Sequence, residues 1–249
     1  MRRALLIAIV AALALTPAAA AAPRPIVRPA DESTKSGVEL GSELFAGNCA
    51  ECHGINGSGT AIAPPLRGVG ALAADFYLST GYMPLGSAHE QPIRTRVLFS
   101  KRERDALVAY VASLGKGPAI PTPDPASGDV GEGRELFTEH CAGCHQVVAE
   151  GGIMPGAKAP PLNRATPVQI AQAVRIGPYV MPTFTQRDIT DAQLNSIIAY
   201  VQYTKDPQDA GGWGIDHLGP FPEGMVTWLI AIVVLIGTCM VIGKRMRES

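Results

Sequence analysis

The sequence predicts an all-α chain: two tandem copies of one small helical domain, followed by a single C-terminal transmembrane helix. Three observations predict it. Short strings recur once each, in the same order; helix signals fall at matching places in the two copies; and Met225–Ile242 is an uncharged run of eighteen residues near the C-terminus. The composition agrees. A length of 249 residues allows one or two domains. Charged residues make up 17%, against roughly 25% in soluble domains. Hydrophobic residues make up 47%, and the mean hydropathy is +0.14. That balance argues against a disordered chain and assigns part of the apolar content to a membrane. A net charge of -1 leaves no basic excess for a nucleic-acid partner. With Gly 27 and Pro 21, the helices must be short and the loops long.

Residues 1–22 read as a signal peptide or, if uncleaved, an N-terminal anchor. Arg2 and Arg3 open it, Ala4–Leu15 is apolar but too short to span, and Pro17 with Ala18–Ala22 supplies small residues for cleavage. The first domain is expected over 37–115 and the second over 131–206. Glu43-Leu44-Phe45 recurs as Glu135-Leu136-Phe137, Ala63-Pro64-Pro65-Leu66 as Ala159-Pro160-Pro161-Leu162, and Ala109-Tyr110-Val111 as Ala199-Tyr200-Val201. Each copy opens with a helix that leads into a pair of cysteines. Middle helices are expected near Ala71–Leu78 and Pro167–Ile176, the latter with a Thr166 cap and proline in its first turn. Each copy closes with a helix opened by a capping box, Ser100…Glu103 or Thr190…Gln193. Leu107, Tyr110, Val111 and Leu114 share one face of the first closing helix; Leu194, Ile197, Ile198 and Val201 share one face of the second. A copy of this size has a marginal core of its own, which a large bound apolar group would complete. Residues 116–130, rich in Pro and Gly, read as an extended, stiff linker.

A second linker, 207–220, leads to the transmembrane helix, expected over 221–243. Trp228 lies near its start, and Lys244, Arg245 and Arg247 follow in the tail, 244–249. The positive-inside rule puts that tail in the cytoplasm and both domains on the extracytoplasmic side of the cell membrane. Cys239, inside the apolar run, reads as a small packing residue.

The other four cysteines form Cys49-Ala-Glu-Cys52-His53 and Cys141-Ala-Gly-Cys144-His145. Cys-x-x-Cys-His is the attachment signature of c-type haem. Two thiols one helical turn apart match the separation of the porphyrin vinyl groups, and the adjacent histidine supplies the proximal nitrogen to iron. A single such motif is compatible with a redox dithiol or half a zinc site. Two in exported repeats point to two covalently bound haem c groups and to two tandem class I cytochrome c domains. The sixth ligands are expected to be Met83 and Met181, each followed by proline, on the loop between the middle and closing helices. Thioether opposite imidazole raises the potential. Met154, also before proline, has no partner in the first copy, and His89 is the competitor to Met83. His140 and His217 read as ordinary surface residues. Arg67 and Arg164, which follow the Ala-Pro-Pro-Leu loops, either meet haem propionates or face water. The pattern shows helices and loops only, with no catalytic carboxylate pair, nucleophile triad or phosphate loop.

Two Cys-x-x-Cys-His domains followed by one C-terminal membrane helix resemble the cytochrome cc subunit of actinobacterial cytochrome bc1 complexes. The resemblance runs along nearly the whole chain. It includes Phe45 and Asn48 before Cys49, Ser79-Thr80-Gly81 before Met83-Pro84, and Met181-Pro182 followed by Phe184. It continues through Gly211-Gly212-Trp213-Gly214, Gly219-Pro220, Pro222-Glu223-Gly224-Met225 and Trp228 at the approach to the membrane. Membership would imply a subunit of a quinol–cytochrome c reductase, a translocase whose cytochrome b and Rieske iron–sulfur protein oxidise quinol, typically menaquinol. The dihaem subunit would take electrons from the Rieske centre and hand them to an aa3-type cytochrome c oxidase in a supercomplex, with the first haem as input and the second as output. It would hold no quinol site. The alternatives are a membrane-anchored dihaem carrier outside any such complex and the dihaem subunit of a cbb3-type oxidase. A haem peroxidase would need an open sixth position, against which both Met–Pro loops speak.

Overall fold

The helix signals of each copy become helices at the expected places in the computed structural model, which describes residues 25–85, 93–206 and 220–248. The signal segment 1–22, His89, His217 and all but the last residue of the linker 207–220 lie outside the described residues. In the first copy α1 (Gly37–Asn48) runs into the one-turn helix α2 (Ala50–His53), followed by α3 (Gly70–Ser79) and α4 (Lys101–Ser113). The second copy repeats the order with α5 (Val130–His140), α6 (Ala142–His145), α7 (Pro167–Ile176) and α8 (Asp191–Tyr203). Both closing helices carry the complete reciprocal capping box, as does α7.

The opening helix of each copy crosses its closing helix, and the crossing is the centre of each core. In the first copy Leu40, Leu44 and Phe45 meet Ala106, Leu107 and Val111; in the second Phe137 meets Leu194, Ile197, Ile198 and Val201. The same aromatic pair brackets both crossings: Phe45–Tyr110 at 5.1 Å between centroids and Phe137–Tyr200 at 5.5 Å. What lets the backbones approach is a glycine. A methyl at Gly41 would overlap the Ala106 carbonyl, and one at Gly133 the Ser196 carbonyl.

One expectation, helices and loops only, needs correction. The second copy contains a short antiparallel hairpin, β1 (Gly152–Met154) with β2 (Ala157–Ala159), pairing Gly152 with Ala159 and Met154 with Ala157. Its turn, Met154-Pro155-Gly156-Ala157, has proline at the second place and Gly156 at φ 79, the signature of a type II turn. Strands of three residues are too short to leave an alternating pattern. The linker 116–130 is held to both copies. Leu72 N–H donates to Pro118 O at 3.2 Å, tying it to α3, and Asp124 N–H donates to Asn195 Oδ1 at 3.0 Å, tying it to α8.

Residues 25–36 pack on the first copy. Val27 and Asn48 exchange two hydrogen bonds of 2.8 Å. Arg28 Nε donates to Glu103 Oε1 at 2.6 Å, while Glu103 Oε2 accepts from the Ser100 N–H at 2.6 Å. Burial is the largest influence on the Glu103 carboxyl and opposes its ionisation. The Arg28 guanidinium and the Ser100 N–H and hydroxyl together outweigh it and hold the group below its ordinary value. A carboxyl lowered on folding contributes stability that is fully present above its unfolded value of about 4.3 and is lost as pH falls through the folded value. Glu103→Ala is expected to cost about 1–2 kcal/mol at neutral pH, the half-exposed Arg28 keeping the ion-pair part small. In acid titrations monitored by circular dichroism the variant loses this component; an unchanged acid transition contradicts the assignment.

The described residues divide into two units, Met1–Thr204 and Lys205–Ser249. The second is dominated by α9 (Pro220–Glu248), whose stretch Gly224–Arg247 is long and apolar enough to cross a membrane. Its Trp228, Leu235 and Val241 are exposed along with the rest of its apolar surface, and Cys239 is exposed as well. A helix apolar on all sides suits a single-pass anchor rather than a core helix.

Candidate haem crevices

Each Cys-x-x-Cys-His motif folds into one helical turn. His53 N–H and His145 N–H both donate to the first cysteine's carbonyl at 2.9 Å, and the second cysteine's N–H follows at 3.2 Å in the first copy and 3.1 Å in the second. The chain then leaves the helix through a positive φ, at Gly54 (φ 77) or Gln146 (φ 60). A glycine six residues after the histidine closes the loop: Gly59 N–H donates to His53 O at 2.7 Å and Gly151 N–H to His145 O at 2.9 Å. Both glycines have φ near +80°, and a Cβ at either would sit 2.7 Å from the nitrogen of the second proline in Ala-Pro-Pro-Leu. The loop and the Pro-Pro segment are thereby pressed together, and this gives the repeated prolines their role. The Pro64 carbonyl lies 2.9 Å from His53 Nδ1, and the Pro160 carbonyl 3.0 Å from His145 Nδ1. A carbonyl only accepts, so Nδ1 carries the proton in both rings and Nε2 keeps its lone pair for a metal. Burial lowers the pKa of His145, and the Pro160 carbonyl only partly offsets it, so the imidazole stays neutral, as ligation requires.

In the second copy the expected residues come together around one open cavity of about 1280 Å³ including its mouth. Cys141, Cys144 and His145 lie along it with Met181, Pro182 and the apolar side chains Phe137, Ile170, Val174 and Ile197. The Met181 loop is closed by Met181 N–H donating to Pro178 O at 3.0 Å and anchored to α7 by Phe184 N–H donating to Val174 O at 2.9 Å and Arg175 Nη1 to Phe184 O at 3.1 Å. In the first copy Met83 N–H donates to Tyr77 O at 3.1 Å, holding the corresponding loop against α3, while Thr95 Oγ1 donates to Gly81 O. His53 and Met83 are half-buried on the elements that match those of His145 and Met181.

His140 is exposed, as expected, and also lines the open second cavity, its ring 5.9 Å from that of Phe184. Met154, on β1, lines it too. Arg164 does not; its carbonyl accepts from Arg94. Arg67 Nε donates to Asn56 O at 3.4 Å. Gly41 and Gly133 went unmarked although they recur at the spacing of the Glu-Leu-Phe strings, each four residues before its phenylalanine.

A flat macrocycle fits what is present. The four motif cysteines are free thiols, the histidines offer Nε2, the methionine thioether lies on the same cavity as His145, and the walls are apolar. The first thiol of each motif does not have the lowered pKa of a reactive redox thiol. Burial, with the neighbouring cysteine, pushes Cys49 up to about 12 and Cys141 up to about 11.

Comparison with known proteins agrees with this geometry. A family model described as cytochrome c matches residues 38–115, and one described as cytochrome c oxidase, cbb3-type, subunit III matches residues 128–201. The cytochrome bc1 complex cytochrome c subunit of Mycobacterium tuberculosis is 37% identical over 238 residues, covering 92% of this chain and 85% of that one. That of Corynebacterium diphtheriae is 35% identical, covering 88% of this chain and 85% of that one. A cbb3-type cytochrome c oxidase subunit of Azospirillum is 30% identical, with 65% of this chain and 60% of that one covered. Two haem-attachment domains, one apolar C-terminal helix and near full-length similarity lead to one conclusion: the chain belongs to the family of cytochrome bc1 complex cytochrome c subunits.

Proposed function

We propose that this chain is the dihaem electron-transfer subunit of a respiratory bc1 complex, receiving electrons from the Rieske iron–sulfur protein and delivering them to an aa3-type cytochrome c oxidase. The observation that carries the reading is the repeated pairing of a proline-clamped histidine with a Met–Pro loop, joined in one chain to a helix apolar enough to cross a membrane. Cytochrome c domains with Cys-x-x-Cys-His motifs indicate covalently bound haem c. Haem c, when bound, supplies one-electron transfer at iron. Cys49, Cys52, Cys141 and Cys144 would hold two such groups through thioethers, with His53 and Met83 in the first domain and His145 and Met181 in the second as axial ligands.

The chain's own residues do three things in this reading. The proline carbonyls orient each imidazole and fix its tautomer. The apolar walls exclude water, which with a thioether ligand favours the reduced state and a high potential. The anchor holds both domains near their membrane partners at high effective concentration. The positive-inside rule, applied to Lys244, Arg245 and Arg247, supports a cytoplasmic tail and domains on the extracytoplasmic side. The first domain is the electron input and the second the output.

A cbb3-type oxidase subunit is a second reading, favoured by the family model over residues 128–201. The relatives with that name cover 65% of the chain, against 82–92% for the bc1 subunits, and the longer match favours the bc1 reading. Affinity isolation of the full chain in mild detergent should bring down cytochrome b, the Rieske protein and oxidase subunits. Recovery with cbb3-type oxidase subunits, or with no membrane partner, contradicts the proposal.

A further inference from the structure

The second crevice is not built by the second domain alone. Tyr77 of α3, with Thr80, Tyr82 and Arg94 from the segment after it, lines the cavity from the first domain. The phenol rings belong to one cluster, with Phe76–Tyr82 at 5.7 Å and Tyr77–Tyr82 at 6.4 Å between centroids. Both tyrosines are half-buried, and burial raises the pKa of each. Arg94 stands at its edge. Its Nη2 donates to Arg164 O at 3.2 Å and to Gln169 Oε1 at 3.3 Å, and Gln169 Nε2 reaches back to Ser79 O at 3.2 Å. These bonds fix the guanidinium at the start of α7, and the residue is exposed, so it sits where an apolar cavity opens to water. Lys158, on the hairpin, is the cation the second domain itself brings to the lining.

A haem carries two carboxylate arms, which need water or a cation where the macrocycle is buried. A guanidinium fork is the side chain that matches a carboxylate. We propose that Arg94 of the first domain is the cationic partner of a carboxylate arm of the haem held by the second domain, so that one domain sets part of the other's redox level. The proposal rests on the haem reading of the second crevice. A fixed positive charge beside the macrocycle favours the added electron and raises the midpoint.

The test is a spectroelectrochemical titration of the full chain in detergent, with haem counted by pyridine haemochrome. Two haems per wild-type chain is the test of the haem reading itself, and one haem per chain would overturn that reading separately. Arg94→Gln is expected to shift the second haem's reduction equilibrium about tenfold toward the oxidised form, about 59 mV, with the first haem unchanged. Arg94→Lys keeps the charge and most of the wild-type midpoint. Arg96→Gln, an exposed charge two residues on and outside the crevice, leaves both midpoints in place. Loss of the second haem in Arg94→Gln but not in Arg94→Lys also supports the proposal. An unchanged second midpoint in Arg94→Gln, equal shifts of both haems, or an Arg94→Lys midpoint as low as that of Arg94→Gln overturns it, the last making Arg94 a structural tie only.

Discussion

Met181→His is expected to lower the midpoint of the second haem by on the order of 0.2 V while leaving the first within error. A second imidazole in place of a thioether donates more electron density and stabilises the oxidised iron. The environment adds little compensation, because the walls around Met181 are apolar and its loop is tied to α7 through Phe184 and Arg175. Histidine is also shorter than methionine, so the loop must move inward or the site stays five-coordinate. Either result is visible: the first as a low-potential, bis-histidine spectrum, the second as a high-spin signal. If both haems shift together, or neither does, Met181 is not the second domain's ligand. Because Met154 lines the same cavity, Met154→Leu is the natural comparison and is expected to leave the ligand spectrum intact.

Gly133→Ala is expected to destabilise the second domain by about 3 kcal/mol, the added methyl making the tightest overlap among the described glycines. The added Cβ overlaps the Ser196 carbonyl and comes within 3.0 Å of the Tyr200 Cβ, so two helix backbones must separate. Separation also opens the Phe137–Tyr200 contact and weakens the bond from Tyr200 Oη to Val147 O, 2.7 Å long, which braces the segment after His145. Gly41→Ala does the same to the first domain against the Ala106 carbonyl and Tyr110. Thermal melts followed in the haem Soret band should show one early transition in each variant, confined to the altered domain. An alanine variant that melts with the wild type would mean that the crossing tolerates the extra methyl.

These two residues also mark where the sequence stops being legible. Local signals carried well. Ser100 with Glu103, Thr166 with Gln169 and Thr190 with Gln193 each cap a helix at the position the pattern indicates, because a capping box is written within four residues. Cys-x-x-Cys-His is similarly local. Contacts between distant segments were not readable. Nothing near Gly133 announces that Ser196 lies against it, and nothing in a Pro-rich linker shows that Pro118 and Asp124 are docked at both ends. The Pro160 carbonyl on His145 is intermediate: the repeat pointed to the Pro-Pro loop, and only the fold shows which atom meets the ring. His140 is exposed, as its place in the sequence indicates, but that it also borders the cavity follows only from the fold, in which α5 delivers it one residue before Cys141.

In the proposed function this chain stands between the Rieske centre and the oxidase. A menaquinol pulse on the detergent-isolated complex, with the c-type and a-type haem bands followed in time, tests that position. Both c-type haems are expected to reduce first and the a-type haems to follow only through them, so that Met181→His slows reduction of the a-type haems while the first haem still reduces at the wild-type rate. Reduction of the a-type haems at an unchanged rate in that variant, or ahead of either c-type haem in the wild type, would contradict it.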